Sequence, residues 1–419
     1  MTWALASIAL GVLLVAAVSR LLTGTPVTPP MVFVLFGILV GPRVLDGLDP
    51  AASGGTVRTL AEATLTVVLF SDASRIKFSH LRREYSVPVR LLGIGLPLTI
   101  ALGALLAAAI FGELSPAEAL VLAVVLAPTD AALGQAVVTD PRLPSRISQG
   151  LNVESGLNDG ICVPLLYIAL AAADVHAKAT TSHHAIKIVA EQIGYGLLAG
   201  VIAGALVTVI VQHAGPRRLI TGAWLQVIPV AGAALAYGVA SALDGSGFIA
   251  AFVAGALFGG FAGQEADEAS RLGVEVGDML DGVTFIVFGA VLLGPALGHL
   301  TLEAVGYALL SLTVIRFVPV AIAMIGSRAR PPTLAFLGWF GPRGLASIVF
   351  AIIVVDEYHL PHADTITLVI YITVGLSVLL HGLTAAPSAR AYARWYEGEA
   401  PAMESVPSPV HRPRGAHVS

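Results

Sequence analysis

Charged residues and cysteine are both scarce in this sequence. Only 12% of the 419 residues are charged, against roughly a quarter in soluble domains, whereas 56% are hydrophobic. A mean hydropathy of +0.85 leaves no room for a large soluble domain. The single cysteine, Cys162, excludes an intrachain disulfide and a multi-cysteine metal site. The chain also lacks a basic patch with interleaved aromatic residues, so nucleic acid is not an expected partner.

Long apolar runs fill most of the chain and predict an all-α membrane protein. At about 20 residues per spanning helix, the runs between charged or Pro/Gly clusters give about thirteen transmembrane helices. The predicted spans are 3–22, 29–42, 56–72, 87–111, 116–138, 146–172, 186–211, 219–242, 246–261, 277–293, 302–326, 332–354 and 365–386. We therefore predict a transmembrane domain over residues 1–387. The proline-containing segment 388–419 has few large apolar residues and is predicted to be a disordered cytoplasmic tail.

Arginine and lysine are distributed unevenly between the two sides of the predicted spans. With the C-terminus inside, 17 of the 23 basic residues fall on the cytoplasmic side and four outside. The positive-inside rule thus predicts a multi-pass protein of the inner (plasma) membrane, with an outside N-terminus and a cytoplasmic C-terminus. Thirteen spans divide into six, one and six, which is the arithmetic of an inverted repeat of two six-helix halves. In such folds the binding site lies on interrupted helices at matching places in the halves.

The fifth predicted span of each half is interrupted. Pro128 disrupts the first just before Thr129 and Asp130, and Gly341-Pro342-Arg343-Gly344 interrupts the second. A broken helix frees carbonyls that bind a cation, and Asp130 adds a hard carboxylate oxygen. We expect Asp130 either to remain ionised, held by free backbone donors at the break, or to take its proton in step with Asp159. The alternative is a buried ion pair between Asp130 and Arg343 that only braces two kinked helices.

The sixth predicted span carries the densest polar cluster of the chain. Glu154 and Asp159 both lie near its middle, where each charge costs about 2.5–3.5 kcal/mol. Helical spacing places Ser155 and Asp159 on one face, which suits an ion ligand with a hydroxyl beside it. Glu154 and Asn158 share the next face. The alternative is a polar seam that joins helices, which usually uses side chains without carboxylates.

Charges at mid-membrane need partners. We expect a salt bridge from Glu154, with Arg343 as the favoured partner. Arg316, in the middle of the eleventh predicted span, is expected to pair with Asp278 or Asp281. Both pairs are interpreted as structural.

Taken together, these motifs resemble the signatures of the NhaP/NHE-type monovalent cation/proton antiporters. The resemblance rests on the Thr129-Asp130 break, on Glu154-Ser155 followed by Asn158-Asp159, and on Gly341-Pro342-Arg343-Gly344. It implies crossed broken helices, a core subdomain, a dimerisation subdomain and a homodimer, with no cofactor beyond the transported ions. Ala131 departs from the pattern, because many relatives have proline there.

The resemblance also implies roles for individual residues. The residues implied for ion and proton binding are Asp159, Asp130, Thr129, Ser155 and Asn158. Sodium is expected at the first four of these, with Asp159 as the main carboxylate. Asn158, in place of a second aspartate, is the mark of the electroneutral branch. Glu154 and Arg343 are implied as a structural ion pair in the core.

The expected function is exchange of sodium or lithium for protons by alternating access, one for one. A potassium/proton antiporter on the same fold is the main alternative, and a sodium-coupled symporter and a channel are others. An intramembrane enzyme would need Asp130 and Asp159 as an aspartyl pair or Ser155 as a nucleophile. No histidine lies within a span near Ser155, and no Gly-x-Gly-Asp motif surrounds either aspartate. We therefore expect no enzymatic activity and no catalytic residues.

Overall fold

Helices account for all the regular structure of the described chain. The computed structural model describes residues 2–22, 25–44, 50–75, 86–130, 132–134, 140–173, 182–214, 217, 219–220, 222–263, 268–399 and 403–405. These ranges contain no β-strand. The predicted all-α fold is confirmed for them.

The helices are numbered here in chain order. Those of the first half are α1 (Thr2–Leu22), α2 (Pro29–Val40), α3 (Pro50–Ser74), α4 (Ser86–Ile110), α5 (Pro116–Val125) and α6 (Ser145–Ala173). Those that follow are α7 (Ser182–Ala214), α8 (Gly222–Ala242), α9 (Gly247–Phe261), α10 (Arg271–Ala296), α11 (Leu302–Ala323), α12 (Pro331–Trp339), α13 (Leu345–Glu357) and α14 (Ala363–Glu399). Two helices, α4 and α10, each contain a π-helical turn.

Eight of these helices are long and apolar enough to cross a membrane. Shorter apolar helices, α2, α5, α9 and α13, lie among them. Each of the thirteen predicted spans overlaps at least one of these helices, and the twelfth overlaps both α12 and α13. The location of the helices is thus as predicted, and the number of membrane crossings stays a prediction.

Local sequence fixes where α5 begins, and this start positions the first interruption. Ser115 caps the helix by accepting from the backbone N–H of Glu118, and the Glu118 carboxylate accepts from the backbone N–H of Ser115. Pro116 follows at the first helical position, where its missing N–H costs nothing. From this start, α5 runs only to Val125 before the chain leaves the helical path.

The prediction of a disordered tail is wrong for its first part. Helix α14 continues to Glu399, far beyond the predicted end of the last span at 386. Its extension is amphipathic, because Ala389, Tyr392 and Ala393 are buried against the end of the bundle. Residues 403–405 also contact the helices, since the Glu404 carboxylate accepts from Thr333 Oγ1 at 2.6 Å. The remaining tail positions lie outside the described residues.

Buried side chains form one large cluster and two smaller ones of equal size, one of which lies at the end of the bundle where Tyr392 is buried. The large cluster joins α5, α6, α13 and α14 through residues such as Val125, Leu166, Phe350 and Ile370. The other smaller cluster joins α3, α7, α8 and α9 through Phe70, Ala203, Ala236 and Phe258. The division into a core and a dimerisation subdomain stays a prediction.

Candidate ion-binding site

The two predicted interruptions meet in space. The chain is non-helical between Val125 and Asp130, and again between Trp339 and Leu345, where α13 begins. The backbone N–H of Asp130 donates to the carbonyl of Pro342 at 2.7 Å, so the two interrupted segments are hydrogen-bonded to each other directly. The expected crossing of two broken helices is present.

Asp130 caps the start of α13. Its Oδ2 accepts from the backbone N–H of Leu345 at 3.0 Å, and its Oδ1 accepts from that of Ala132 at 2.8 Å. The N-terminal end of a helix carries partial positive charge, so this position favours the carboxylate anion. Gly344 is required here, because a Cβ at that position would overlap the Asp130 carboxylate. The expected backbone donors for Asp130 are therefore present.

Arg343 lies at the other side of the crossing, on the carbonyl end of α5. Its guanidinium donates to the carbonyls of Ala127 at 2.7 Å and Pro128 at 3.2 Å. Ser347 donates to the carbonyl of Val125 at 2.7 Å. The helix break frees these carbonyls, and the protein itself supplies donors to them. The interruption is thus stabilised reciprocally: an anion caps the start of α13 and a cation caps the end of α5.

The polar cluster of α6 reaches the first interruption at Thr129. Asn158 donates from Nδ2 to Thr129 Oγ1 at 2.7 Å and accepts from the Thr129 backbone N–H at 3.3 Å. Ser155 donates to the Thr129 carbonyl. Asn158 and Ser155 therefore hold the same residue, although helical spacing had placed them on different faces. All three side chains are buried.

Asp159 lies one helical turn beyond Ser155 and is only 8% exposed. The turn of α6 that carries it packs against α9 and α3. A Cβ on Gly160 would overlap the ring of Phe252 of α9, and one on Gly156 would lie 3.3 Å from the Cβ of Asp72 of α3. This part of α6 is therefore in close contact with α9 and α3, one turn from Ser155, which contacts the first interruption.

The predicted ion pair between Glu154 and Arg343 is wrong. Glu154 forms a two-bond pair with Arg316 of α11, with distances of 2.6 and 2.7 Å, and both side chains are at most 4% exposed. The expected pairing of Arg316 with Asp278 or Asp281 is wrong for the same reason. Arg343 is already engaged by the carbonyl end of α5, and α11 brings the second arginine to Glu154.

A glycine makes room for this pair. A Cβ on Gly341 would lie 2.5 Å from Nε of Arg316, so the second interruption packs directly on the guanidinium. The sequence shows two mid-span arginines and does not say which of them faces Glu154. The sequence identifies the Gly341-Pro342 motif as a helix break, but nothing in its spacing indicates that Gly341 makes room for Arg316.

Comparisons with known proteins agree with this geometry. Residues 7–391 match the family described as sodium/hydrogen exchanger, transmembrane. The K(+)/H(+) antiporter NhaP2 of Shewanella oneidensis is 26% identical over 397 residues, which cover 91% of this chain and 65% of that protein. An Na(+)/H(+) antiporter of Schizosaccharomyces pombe is 27% identical over 236 residues, covering 53% of this chain and 49% of that protein.

A solved structure shares the fold. The sodium proton antiporter MjNhaP1 of Methanocaldococcus jannaschii superposes with a TM-score of 0.75 at 18% identity, over 94% of this chain and 99% of that one. The chain spans about two thirds of the length of the NhaP2 relatives that it matches. Because the family match extends over nearly the whole sequence, the chain belongs to the sodium/hydrogen exchanger transmembrane family.

Proposed function

We propose that the protein exchanges sodium or lithium for protons across the membrane by alternating access, one ion for one proton. The observation that carries the proposal is a nearly buried carboxylate, Asp159, one turn from Ser155 and beside a crossing of two interrupted helices. A carboxylate in low dielectric disfavours its bare charged form, so it binds a proton or a cation in turn. If the site can change between facing inward and facing outward only when a bound cation or proton neutralises its charge, each cation that crosses in one direction must be followed by a proton in the other.

Asp159 is proposed as the carboxylate that alternates between proton and cation, with sodium contacting Asp159, Ser155, Thr129 and Asp130. Asp130 supports this division of roles, because two backbone N–H groups bind its two oxygens. It is proposed to stay ionised throughout the cycle. Asn158 binds Thr129 and does not titrate, which leaves a single exchanging carboxylate on α6.

The test is sodium-driven proton movement in proteoliposomes. Asp159→Asn is expected to insert and fold but to move no protons when sodium is added. Asp140→Asn, at a carboxylate outside the predicted spans, serves as the matched control and is expected to keep the parental rate. Parental exchange by Asp159→Asn would contradict the assignment.

The stoichiometry has its own experiment. With the voltage clamped by potassium and valinomycin, one-for-one exchange has a rate that does not depend on the imposed voltage. A steady voltage-dependent current would contradict it and would assign the second proton to Asp130.

Potassium/proton exchange is the second candidate, because the NhaP2 relatives bear that name. Oxygen ligands from a carboxylate, a hydroxyl and a carbonyl suit either ion. Addition of sodium, lithium and potassium in turn under one pH gradient separates the two. Proton movement with potassium alone would replace sodium in the proposal.

We also propose the inner membrane as the location, with the N-terminus outside, the C-terminus cytoplasmic, and two copies forming a dimer. The bias of basic residues supports the orientation. In a Cys162→Ala background, Arg328→Cys should react with an impermeant reagent only from the cytoplasmic side, and Leu300→Cys only from outside. Both positions are exposed. The reverse labelling pattern would show that the orientation is inverted. The dimer is tested separately by measuring the mass of the protein in mild detergent, where the mass of a single chain would contradict it.

A further inference from the structure

Two fully buried polar side chains of α14 contact both ends of the second interruption. Ser377 Oγ accepts from the backbone N–H of Arg343 at 2.7 Å. One turn later, Nε2 of His381 lies 2.9 Å from the carbonyl of Trp339, the last residue of α12. We call Ser377 and His381 the α14 clamp. Neither side chain has any exposed surface.

The hydrogen bonds of the clamp are consistent with one neutral tautomer of His381. A carbonyl only accepts, so the ring must carry a proton on Nε2 to donate to Trp339. In this tautomer Nδ1 accepts from the Ser377 hydroxyl, which lies 3.2 Å from it. Nδ1 also lies 3.0 Å from the Ser377 backbone carbonyl, to which it would donate only if it carried the proton itself. Because the Ser377 oxygen accepts from Arg343, its own proton is available for Nδ1. The result is a chain of hydrogen bonds from the Arg343 backbone through both side chains to Trp339.

These bonds supply partners to backbone groups at the two ends of the interruption, where the Trp339 carbonyl also accepts from the backbone N–H of Gly341 at 2.9 Å. The last carbonyls of a helix have no partner within it, and an unsatisfied polar group in a membrane interior is costly. The clamp supplies a donor for Trp339 at one end of the segment 340–344 and an acceptor for Arg343 at the other. Both ends of the segment 340–344 are thereby attached to one helix, α14, which fixes the position of the segment.

The same segment determines where the candidate site lies. The Pro342 carbonyl accepts from the backbone of Asp130, and Arg343 donates to the carbonyls of Ala127 and Pro128. A shift of residues 340–344 would therefore move the first interruption, including Thr129. Within the described chain, the clamp contacts the segment 340–344 directly and makes no hydrogen bond to Thr129 or Asp130, so we infer that it acts on the ion site through this segment.

We propose that His381 is a positioning residue that, together with Ser377, sets the placement of the Asp130 and Thr129 oxygens and so determines cation affinity. This inference rests on the proposed function, because it assigns a determinant of affinity to the same site. It makes no use of His381 as a proton carrier, and the pH dependence of exchange is expected to stay that of the parent in a variant that keeps the hydrogen bonds.

The experiment compares variants that keep or remove the two contacts. His381→Gln retains an amide N–H for Trp339 and an oxygen for Ser377, whereas His381→Ala retains neither. Loss of a hydrogen bond of this kind corresponds to about a tenfold change in an equilibrium. We expect the sodium KM of His381→Ala to rise about tenfold, that of His381→Gln to stay within about threefold of the parent, and the pH profile of His381→Gln to be unchanged.

A matched pair on the same helix controls for packing. Ser377→Ala removes the acceptor of Arg343, while Thr373→Val removes an equally buried hydroxyl that bonds only within its own helix, to the Val369 carbonyl at 2.7 Å. Ser377→Ala is expected to raise the sodium KM and Thr373→Val to leave it unchanged. Because Ser377→Ala removes few atoms, it keeps the test open if His381→Ala does not fold.

The outcomes separate this inference from the proposed function. The parent is measured first, and absence of any cation-driven proton movement would overturn the proposed function and the inference with it. Parental exchange with the same sodium KM in His381→Ala and Ser377→Ala would overturn the clamp alone. Equal KM values for His381→Gln and His381→Ala would also overturn it, as would a shifted pH profile in His381→Gln.

Discussion

The helix crossing and the packing of α7 on α9 are two buried regions built in opposite ways. At the crossing, backbone ends and charged side chains meet through directional bonds, such as Asp130 on Leu345 and Arg343 on Ala127. Between α7 and α9, three glycines of α7 (Gly196, Gly200 and Gly204) face the backbone and side chains of α9. A Cβ on Gly200 would lie 2.7 Å from the Ala250 carbonyl, so the two backbones approach closely.

The difference shows how each region obtains its specificity in an apolar surrounding. Packing of small residues relies on van der Waals contact and depends on volume alone. At the crossing, charged side chains and backbone groups are hydrogen-bonded to each other because the apolar surroundings do not solvate them. Removal of one partner therefore leaves the other buried without a hydrogen bond. Substitutions in the two regions should therefore differ in size and in what they alter.

The largest effect is expected at the buried pair of Glu154 and Arg316. Glu154→Gln leaves the Arg316 guanidinium charged and without its carboxylate, which costs about 3–5 kcal/mol of stability. Thermal unfolding in detergent should show a larger drop in melting temperature for this variant than for Asp159→Asn.

The exposed pair of Arg271 and Glu275, with a distance of 3.3 Å, provides the control. Arg271→Ala is expected to cost less than about 1 kcal/mol, because water solvates both partners. If Glu154→Gln and Arg271→Ala were equally stable, the buried charges of Glu154 and Arg316 beside the crossing would matter no more than exposed ones. The contrast between the two regions would then disappear.

A smaller effect is expected from Gly200→Ala. The added methyl group must displace the α9 backbone, and such overpacking costs about 1–3 kcal/mol. Gly194→Ala on the same helix has nothing within 4 Å of its new Cβ and is expected to be neutral or stabilising by about 0.5–1 kcal/mol. Melting temperatures of the two variants check this, and a changed sodium KM in Gly200→Ala would show that the two regions are coupled.

The smallest effect is expected outside the membrane, at Asp140. The Arg142 side chain donates to its carboxylate at 2.6 and 2.9 Å and holds the pKa of Asp140 below its usual value. A lowered folded pKa means that the stabilisation is present at neutral pH and is lost as the pH falls through that pKa. Asp140→Asn should therefore melt slightly earlier than the parent at pH 7 and together with it in strong acid. A constant difference across that range would contradict the linkage.

Hydropathy and charge determined much of the architecture without tertiary information. A helix needs about 20 apolar residues to span the membrane, so the positions of the apolar runs in the sequence predict the positions of the helices. Proline and glycine likewise reveal the two interruptions, because they remove donors or side chains at fixed positions. The polar cluster from Glu154 to Asp159 was visible because charge within an apolar run is rare.

Partner choice was decided only by the tertiary structure. Arg316 and Arg343 are equivalent in sequence terms, each a lone arginine within an apolar span, yet one pairs with Glu154 and the other binds the carbonyl end of α5. The clamp residue His381 likewise lies near the end of an apolar span and shows no motif. Helical periodicity reports which residues share a face of one helix. Periodicity does not show which residues of a different helix lie opposite that face. Arg316 and Glu154 are 162 residues apart in sequence, and only the packing of their helices brings them together.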